Sequence, residues 1–364
     1  MEKLTLALIL AFSVTLVLTP WVRKKAFEWG AVDKPDSRKV HSGIMPRMGG
    51  LAVYVSFLVA VICTQELTTP VVGLLVGITL ITALGIVDDI KGVPAKLKLL
   101  GQIVAAASIV PFGISVDFIT NPFSQGIIYL GLLGVPLTIL WVVTVTNAIN
   151  LIDGLDGLAA GVSCVAALTL AAVAGSQVYY EGMQSQGEIM FLALILAASL
   201  LGFLKYNFNP ARIFLGDSGS MMLGFTLSAL SVMGLAKSAT VISLIIPIII
   251  LGVPLFDVAL AVVRRFFNRQ PIFAADKDHV HHRLLAAGMG HRKAVVAIYC
   301  VSIVLGLSAF ILTLVTTNQA MLLLVALSLV ILFIANKAGI IGKKVKGKYQ
   351  ATGTEDCRQR STKM

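Results

Sequence analysis

Eleven stretches of this chain are apolar for long enough to cross a bilayer, and that leaves few architectures open. A membrane-spanning helix needs about 20 mostly apolar residues, and backbone polar groups in lipid must be satisfied within the fold. The runs lie near 4–22, 48–65, 70–87, 97–116, 127–147, 158–175, 189–204, 217–236, 240–263, 294–315 and 320–336. With 57% hydrophobic residues, 13% charged residues and a mean hydropathy of +0.91, an ordinary soluble domain is excluded. The expected fold is an all-α polytopic membrane protein of about eleven transmembrane helices, with residues 1–336 forming one membrane domain. Residues 337–364 are basic, lack apolar periodicity and read as a disordered tail on anionic lipid.

The first run follows Met1-Glu-Lys but leads to no small-residue cleavage site before a soluble domain, so it reads as a span. Cys63, Cys164, Cys300 and Cys357 are scattered without a CxxC pair, which argues against a disulfide scaffold or zinc ribbon. Placing the N-terminus outside leaves only Lys3 and Lys237, of 29 Lys and Arg, on the outer face. The C-terminus is then cytoplasmic. The net charge of +11 describes an inner surface facing membrane lipid rather than a nucleic-acid binder. All five His and every Asp except Asp117 also fall on that inner face.

Four polar side chains recur every third residue in Asn147-Ala-Ile-Asn150-Leu-Ile-Asp153-Gly154-Leu-Asp156-Gly157. Each step of three turns a helical side chain by about 300°, so Asn147 and Asn150 share a face while Asp156 points nearly opposite Asn147. Gly154 and Gly157 therefore predict a helix end that opens into a polar loop at the membrane surface.

Further acids stand at inner span ends. Asp88 and Asp89 close the third span, and two adjacent carboxylates need a compensating cation, for which Lys91 or a metal serves; the alternative is a cap on the helix near Pro94. Lys96 and Lys98 follow. Past the seventh span, Asn207 leads to Phe-Leu-Gly216-Asp217-Ser218-Gly219-Ser220, where Asp217 either caps the next helix or offers an oxygen ligand. Hard oxygens converging from several loops suit Mg²⁺ or Mn²⁺.

The last long inner loop carries His279-Val280-His281-His282-Arg283. Three His without a nearby Cys or an obvious fourth ligand match zinc spacing poorly, whereas an anion clamp of imidazoles and Arg283 fits phosphate oxygens. Asp257, inside the ninth span, is expected to face the bundle or to pair with Arg264 or Arg265. The first inner loop, with Arg38, Lys39 and His41, reads equally as lipid anchoring and as phosphate binding. The short outer loops offer nothing assignable to chemistry.

Together, Val-Asp88-Asp89, the Asn147–Gly157 stretch, Phe-Leu-Gly-Asp217-Ser-Gly-Ser and His279-Val-His281-His282 resemble the polyprenyl-phosphate N-acetylhexosamine-1-phosphate transferases. Within them the chain is most similar to the bacterial undecaprenyl-phosphate N-acetylglucosamine-1-phosphate transferases that start teichoic acid, enterobacterial common antigen or O-antigen synthesis. The resemblance covers roughly residues 1–336, and four motifs in order make it specific. The sister enzyme that transfers phospho-MurNAc-pentapeptide carries three uninterrupted His; Val280 breaks that run here and favours a GlcNAc-type donor.

The resemblance implies a Mg²⁺ site at Asp217 and Asn150, with Asp88 and Asp89 beside it. Asp156 would help hold uridine, Lys98 would meet lipid phosphate or pyrophosphate, and His281, His282 and Arg283 would hold sugar-phosphate oxygens. Asp153, Asn147, Asn207 and His279 join the expected substrate-binding set, Asp153 without an assigned role. UDP-GlcNAc and undecaprenyl phosphate are the implied partners, with a homodimer as the implied assembly. In the expected reaction, lipid phosphate attacks the β-phosphorus and UMP leaves, directly or through an aspartyl-phosphate. The rival class is an ion-coupled transporter, but its ligands belong near the midplane with motifs repeated in two halves, and no such repeat is present.

Overall fold

The computed structural model describes residues 2–33, 43–120, 126–235, 241–267, 269, 279–316, 319–326 and 328–329. Arg38, Lys39, His41 and the tail at 337–364 lie outside them. The described chain is a helical bundle: α1 (Glu2–Glu28), α2 (Gly50–Thr64), α3 (Thr69–Lys91), α4 (Ala95–Ser108), α5 (Gly134–Ile152), α6 (Leu158–Glu181), α7 (Gln186–Asn207), α8 (Gly216–Leu235), α9 (Val241–Ile250), α10 (Gly252–Phe267), α11 (Val280–Ala286) and α12 (His291–Leu312). Seven of these segments are long and apolar enough to cross a membrane, and α2 is a shorter apolar helix. The protein is a multi-pass membrane protein.

Local sequence explains the boundaries. Thr68 caps α3 by accepting from the Val71 N–H, Pro70 occupies its first turn, and Gly92 ends it. Gly157 holds φ +79°, a left-handed conformation that lets the chain turn from the polar loop into α6. Two short antiparallel ribbons interrupt the all-helical expectation: β1 (Val32–Asp33) pairs with β2 (Met45–Pro46), and β3 (Phe118–Thr120) with β4 (Ile127–Tyr129).

The structure corrects two predicted spans. The segment assigned to 127–147 begins in a strand, and its helix runs from Gly134 to Ile152, carrying Asn150 in its last turn. The segment assigned to 240–263 is two helices that meet at Leu251. Pro254 has no N–H to give the Ile250 carbonyl, so the helical ladder breaks one turn before it.

α8 is buried around almost its whole circumference, from Ser218 and Ser220 through Phe225 to Val232. A helix apolar on every side belongs inside a bundle; here α3, α5 and α2 surround it. Glycines let the backbones meet. Gly85 of α3 lies against the Ser218 backbone, Gly50 of α2 against Gly219, and Gly224 of α8 against Val145 and Thr146 of α5. A chain of buried hydroxyls ties the outer helices: Thr15 of α1 donates to Ser56 of α2, which donates to Ser199 of α7.

Candidate active site

The N-terminal end of α8 and the C-terminal ends of α3 and α5 meet at one level, and the motif residues meet there too. Lys98, in the first turn of α4, places Nζ 2.8 Å from Asp88 Oδ2 and 2.8 Å from Asp217 Oδ1. Asn150 donates Nδ2–H to the same Asp217 oxygen and to Ser220 Oγ at 2.8 Å. One ammonium therefore offsets the charge of Asp88 and of Asp217, while the neighbouring Asp89 is met by other donors. Lys91, the sequence candidate for that task, is exposed.

Asp89 is buried and spends both oxygens on the first turn of α8, accepting from Asp217 N at 2.9 Å and Ser218 N at 3.0 Å. The cap expected of Asp217 is thus supplied from α3, and the Asp217 side chain is left for chemistry. Arg47 donates Nη2–H to the Asp89 carbonyl at 3.0 Å and lies 3.8 Å from its carboxylate. Asp88 accepts from Val93 N at 2.7 Å, closing the turn before α4.

Beside this cluster lies a cavity of about 670 Å³ whose wall includes Arg47, Asp89, Asn150, Asp153, Asp156, Asn207, Asp217, His282 and His291. That volume suits a small ligand. Burial, and then the neighbouring carboxylates of Asp217, Asp89 and Asp156, push the Asp153 carboxyl well above the usual range. At the far side, Asp156 Oδ2 accepts from Asn209 Nδ2 at 2.8 Å and Ala211 N at 3.0 Å, and its backbone N–H donates to His291 Nε2 at 2.9 Å. Tyr299 donates to the Gly157 carbonyl, fixing the loop from α12.

The remaining expected residues are placed differently from one another. Asn147 turns away from Asp217 and exchanges hydrogen bonds with Gln102 of α4, 2.7 Å from Nδ2 to Oε1. Asn207 is buried, donates to the Ile213 carbonyl at 3.0 Å, and leaves Oδ1 without a partner at the cavity wall. His279 is hydrogen-bonded to Asp257 of α10, so Asp257 faces the bundle, and its partner is an imidazole rather than Arg264 or Arg265. His281 is buried against Gly154; burial first, then His282, holds its pKa down at about 4, so the imidazole is neutral at pH 7. Arg283, the next residue on the same helix, is not among those wall residues.

Sequence reasoning missed Arg47, Gln102, Asn209, Ser220 and His291. Arg47 was one cation among several in a basic loop, and His291 stood alone at the start of a span. Only the folded chain gives either a partner.

The chemistry available is that of clustered acids, two fixed cations and imidazoles around a polar cavity at helix ends. Residues 71–235, which contain every one of the clustered acids, match the family described as glycosyl transferase family 4. The chain is 44% identical, over 95% of both chains, to a probable undecaprenyl-phosphate N-acetylglucosaminyl 1-phosphate transferase of Bacillus subtilis. It is 36% identical to a decaprenyl-phosphate N-acetylglucosaminephosphotransferase of Mycolicibacterium smegmatis, over 82% of this chain and 79% of that one. To the undecaprenyl-phosphate alpha-N-acetylglucosaminyl 1-phosphate transferase of Escherichia coli K12 it is 30% identical, over 80% and 79% respectively. Likeness sustained from end to end, with the acids inside the matched region, makes this chain a member of glycosyl transferase family 4.

Proposed function

We propose that the protein transfers N-acetylglucosamine 1-phosphate from UDP-GlcNAc to undecaprenyl phosphate, releasing UMP. The product is undecaprenyl-pyrophosphoryl-GlcNAc, which begins a cell-envelope polysaccharide of the teichoic acid or O-antigen type. The names of the relatives support the reaction. The observation that carries it to this site is the convergence of Asp88, Asp217, Asn150 and Lys98 beside a cavity with Arg47 and His282 in its wall. We infer that the cavity faces the cytoplasm, with the N-terminus outside and eleven spans in all. The acceptor's tail then stays in lipid while its phosphate reaches the helix ends.

A divalent ion, Mg²⁺ or Mn²⁺, fits the donors at Asp217. Its carboxylate is a hard oxygen ligand, the amide of Asn150 is beside it, and a cation would relieve the crowding of carboxylates that, after burial, raises Asp153. Asp217, Asn150 and Asp88 or Asp153 would hold it. Among the described residues no group of three or more His, Cys, Asp or Glu is arranged to hold a metal, so substrate phosphates and water would complete the shell. When bound, the ion neutralises pyrophosphate charge.

The protein's own groups do the rest. Both reactants are anions, and Lys98 and Arg47 offset their repulsion. A phosphate monoester has a second pKa near ~6, so it enters largely ionised and needs little help from a base. Asp88, held by Lys98, orients the acceptor. Asp89 acts by fixing the start of α8. Asp156 and Asn209 hold the nucleoside end, and His282, in the cavity wall, the sugar phosphate.

The test is UMP release by purified protein in detergent from UDP-GlcNAc and undecaprenyl phosphate, with and without Mg²⁺. Release that needs lipid and metal, and that falls by at least about 100-fold in Asp217→Asn, supports the reading. No release from UDP-GlcNAc or any other UDP-sugar by folded protein sinks it.

A further inference from the structure

Asp257 is a carboxylate for which the chemistry above has no use. It sits on α10 just past the break at Leu251 and is 1% exposed. A carboxylate buried at this depth carries a desolvation cost that persists only with partners. Its partners are two donors from the histidine loop: His279 Nδ1 at 2.8 Å from Oδ2, and Val280 N at 2.9 Å from Oδ1. An ionised carboxylate only accepts, so His279 must carry its proton on Nδ1.

From there the geometry leads to the cavity. The His279 ring is parallel to that of His281, 2° between planes with centroids 5.9 Å apart. His281 lies 4.3 Å from the His282 ring, and its Nε2 fills the space where Gly154 lacks a Cβ. His282 is in the cavity wall. α10, the histidine loop and the polar loop after α5 are thus joined through a single carboxylate and three rings.

We propose that Asp257 is a positioning residue for the sugar-phosphate end of the site: it fixes the His279 tautomer and the first turn of α11, and so sets His282 at the cavity wall. This rests on the transferase reading. Carboxylates that orient histidines one layer behind a reacting centre elsewhere contribute about 10- to 100-fold to activity.

Asp257→Asn separates this role from mere filling of space. Asparagine keeps the volume and offers one oxygen, which Val280 N–H can occupy, while its N–H₂ then faces His279 Nδ1 and forces the proton to Nε2. With UDP-GlcNAc as variable substrate, kcat/KM is expected to fall about 10- to 100-fold. The KM for undecaprenyl phosphate should stay within two-fold of wild type, and the thermal midpoint within a few degrees. In ¹⁵N-histidine spectra of the full-length protein, the proton on His279 should sit on Nδ1 in wild type and on Nε2 in the variant.

Unchanged kcat/KM overturns the proposal, as does an equal loss toward both substrates with a lowered midpoint. Should the variant not fold, the wild-type spectrum decides alone, since an Nε2–H tautomer for His279 is incompatible with the role. Wild-type protein that releases no UMP overturns the transferase reading instead, and is told apart because it needs no variant.

Discussion

Asp217 owes its place to residues far away in the chain. Its backbone N–H is capped from α3 and its side chain is held by Lys98 and Asn150, so an aspartate that looks like a helix cap in sequence becomes a carboxylate presented to the site. Asp153 shows the cost of such crowding. Its carboxyl is raised by burial and by three neighbouring carboxylates, so the ionised form works against the fold at neutral pH. Asp153→Asn should therefore leave the thermal midpoint unchanged or higher at neutral pH, without added metal, while UMP release falls at least about 10-fold; a lowered midpoint would sink the idea. His281 predicts a pH effect of known sign. Its native pKa is about 4 and its ordinary value 6.5, so between those values the unfolded chain binds the extra proton. Stability from this group is fully present above pH 6.5 and is lost as pH falls toward 4, by up to about 3 kcal/mol. Thermal melts across that window should be flatter for His281→Asn. The acids of the site were legible because charged residues at span ends stand out against an apolar chain. Asn147 was not, because a shared helix face with Asn150 says nothing about which neighbour each meets; Gln102 takes one and Asp217 the other.

At the scale of elements, the site is where α3, α5 and α8 touch through glycine. A Cβ at Gly85 would run into the Ser218 backbone, which cannot move aside as a side chain can. Gly85→Ala should cost about 1–3 kcal/mol, read as a lowered thermal midpoint, and should reduce UMP release more than a comparable substitution at Gly175, where Met190 is the neighbour. Equal effects at the two positions would argue against the contact. A helix end was legible where glycine marks it, as at Gly157, whereas the third apolar run stops near 87 and its helix runs on to Lys91 before Gly92. The break at Leu251 was not, although Pro254 is plain in the sequence. Proline is tolerated in membrane helices when neighbours satisfy the freed carbonyl, so a continuous apolar run hides the break. Its consequence for the site is direct, because α10 begins there and carries Asp257.

For the whole molecule, apolar runs made the membrane class legible, and the asymmetry of Lys and Arg gave an orientation. That orientation predicts which loops a membrane-impermeant thiol reagent reaches. With Cys63 and Cys300, which are exposed, and Cys357 of the C-terminal tail replaced, a cysteine at Glu181 should be labelled in intact cells and one at Lys91 only after permeabilisation. The reverse pattern would invert the topology. What no linear reading supplies is assembly across distance. Asp89 and the amides it caps are separated by 128 and 129 residues, and ribosomes add about 5–20 residues per second. For on the order of 10 seconds of synthesis, then, this acid has been made while its permanent partner has not. Arg47 and Lys98 are its near neighbours in the chain and exist by then or soon after. The cations proposed above to offset substrate charge are therefore available as counter-charges during insertion, Arg47 staying beside Asp89 in the folded protein, and a variant lacking them is expected to lose yield in the membrane as well as turnover.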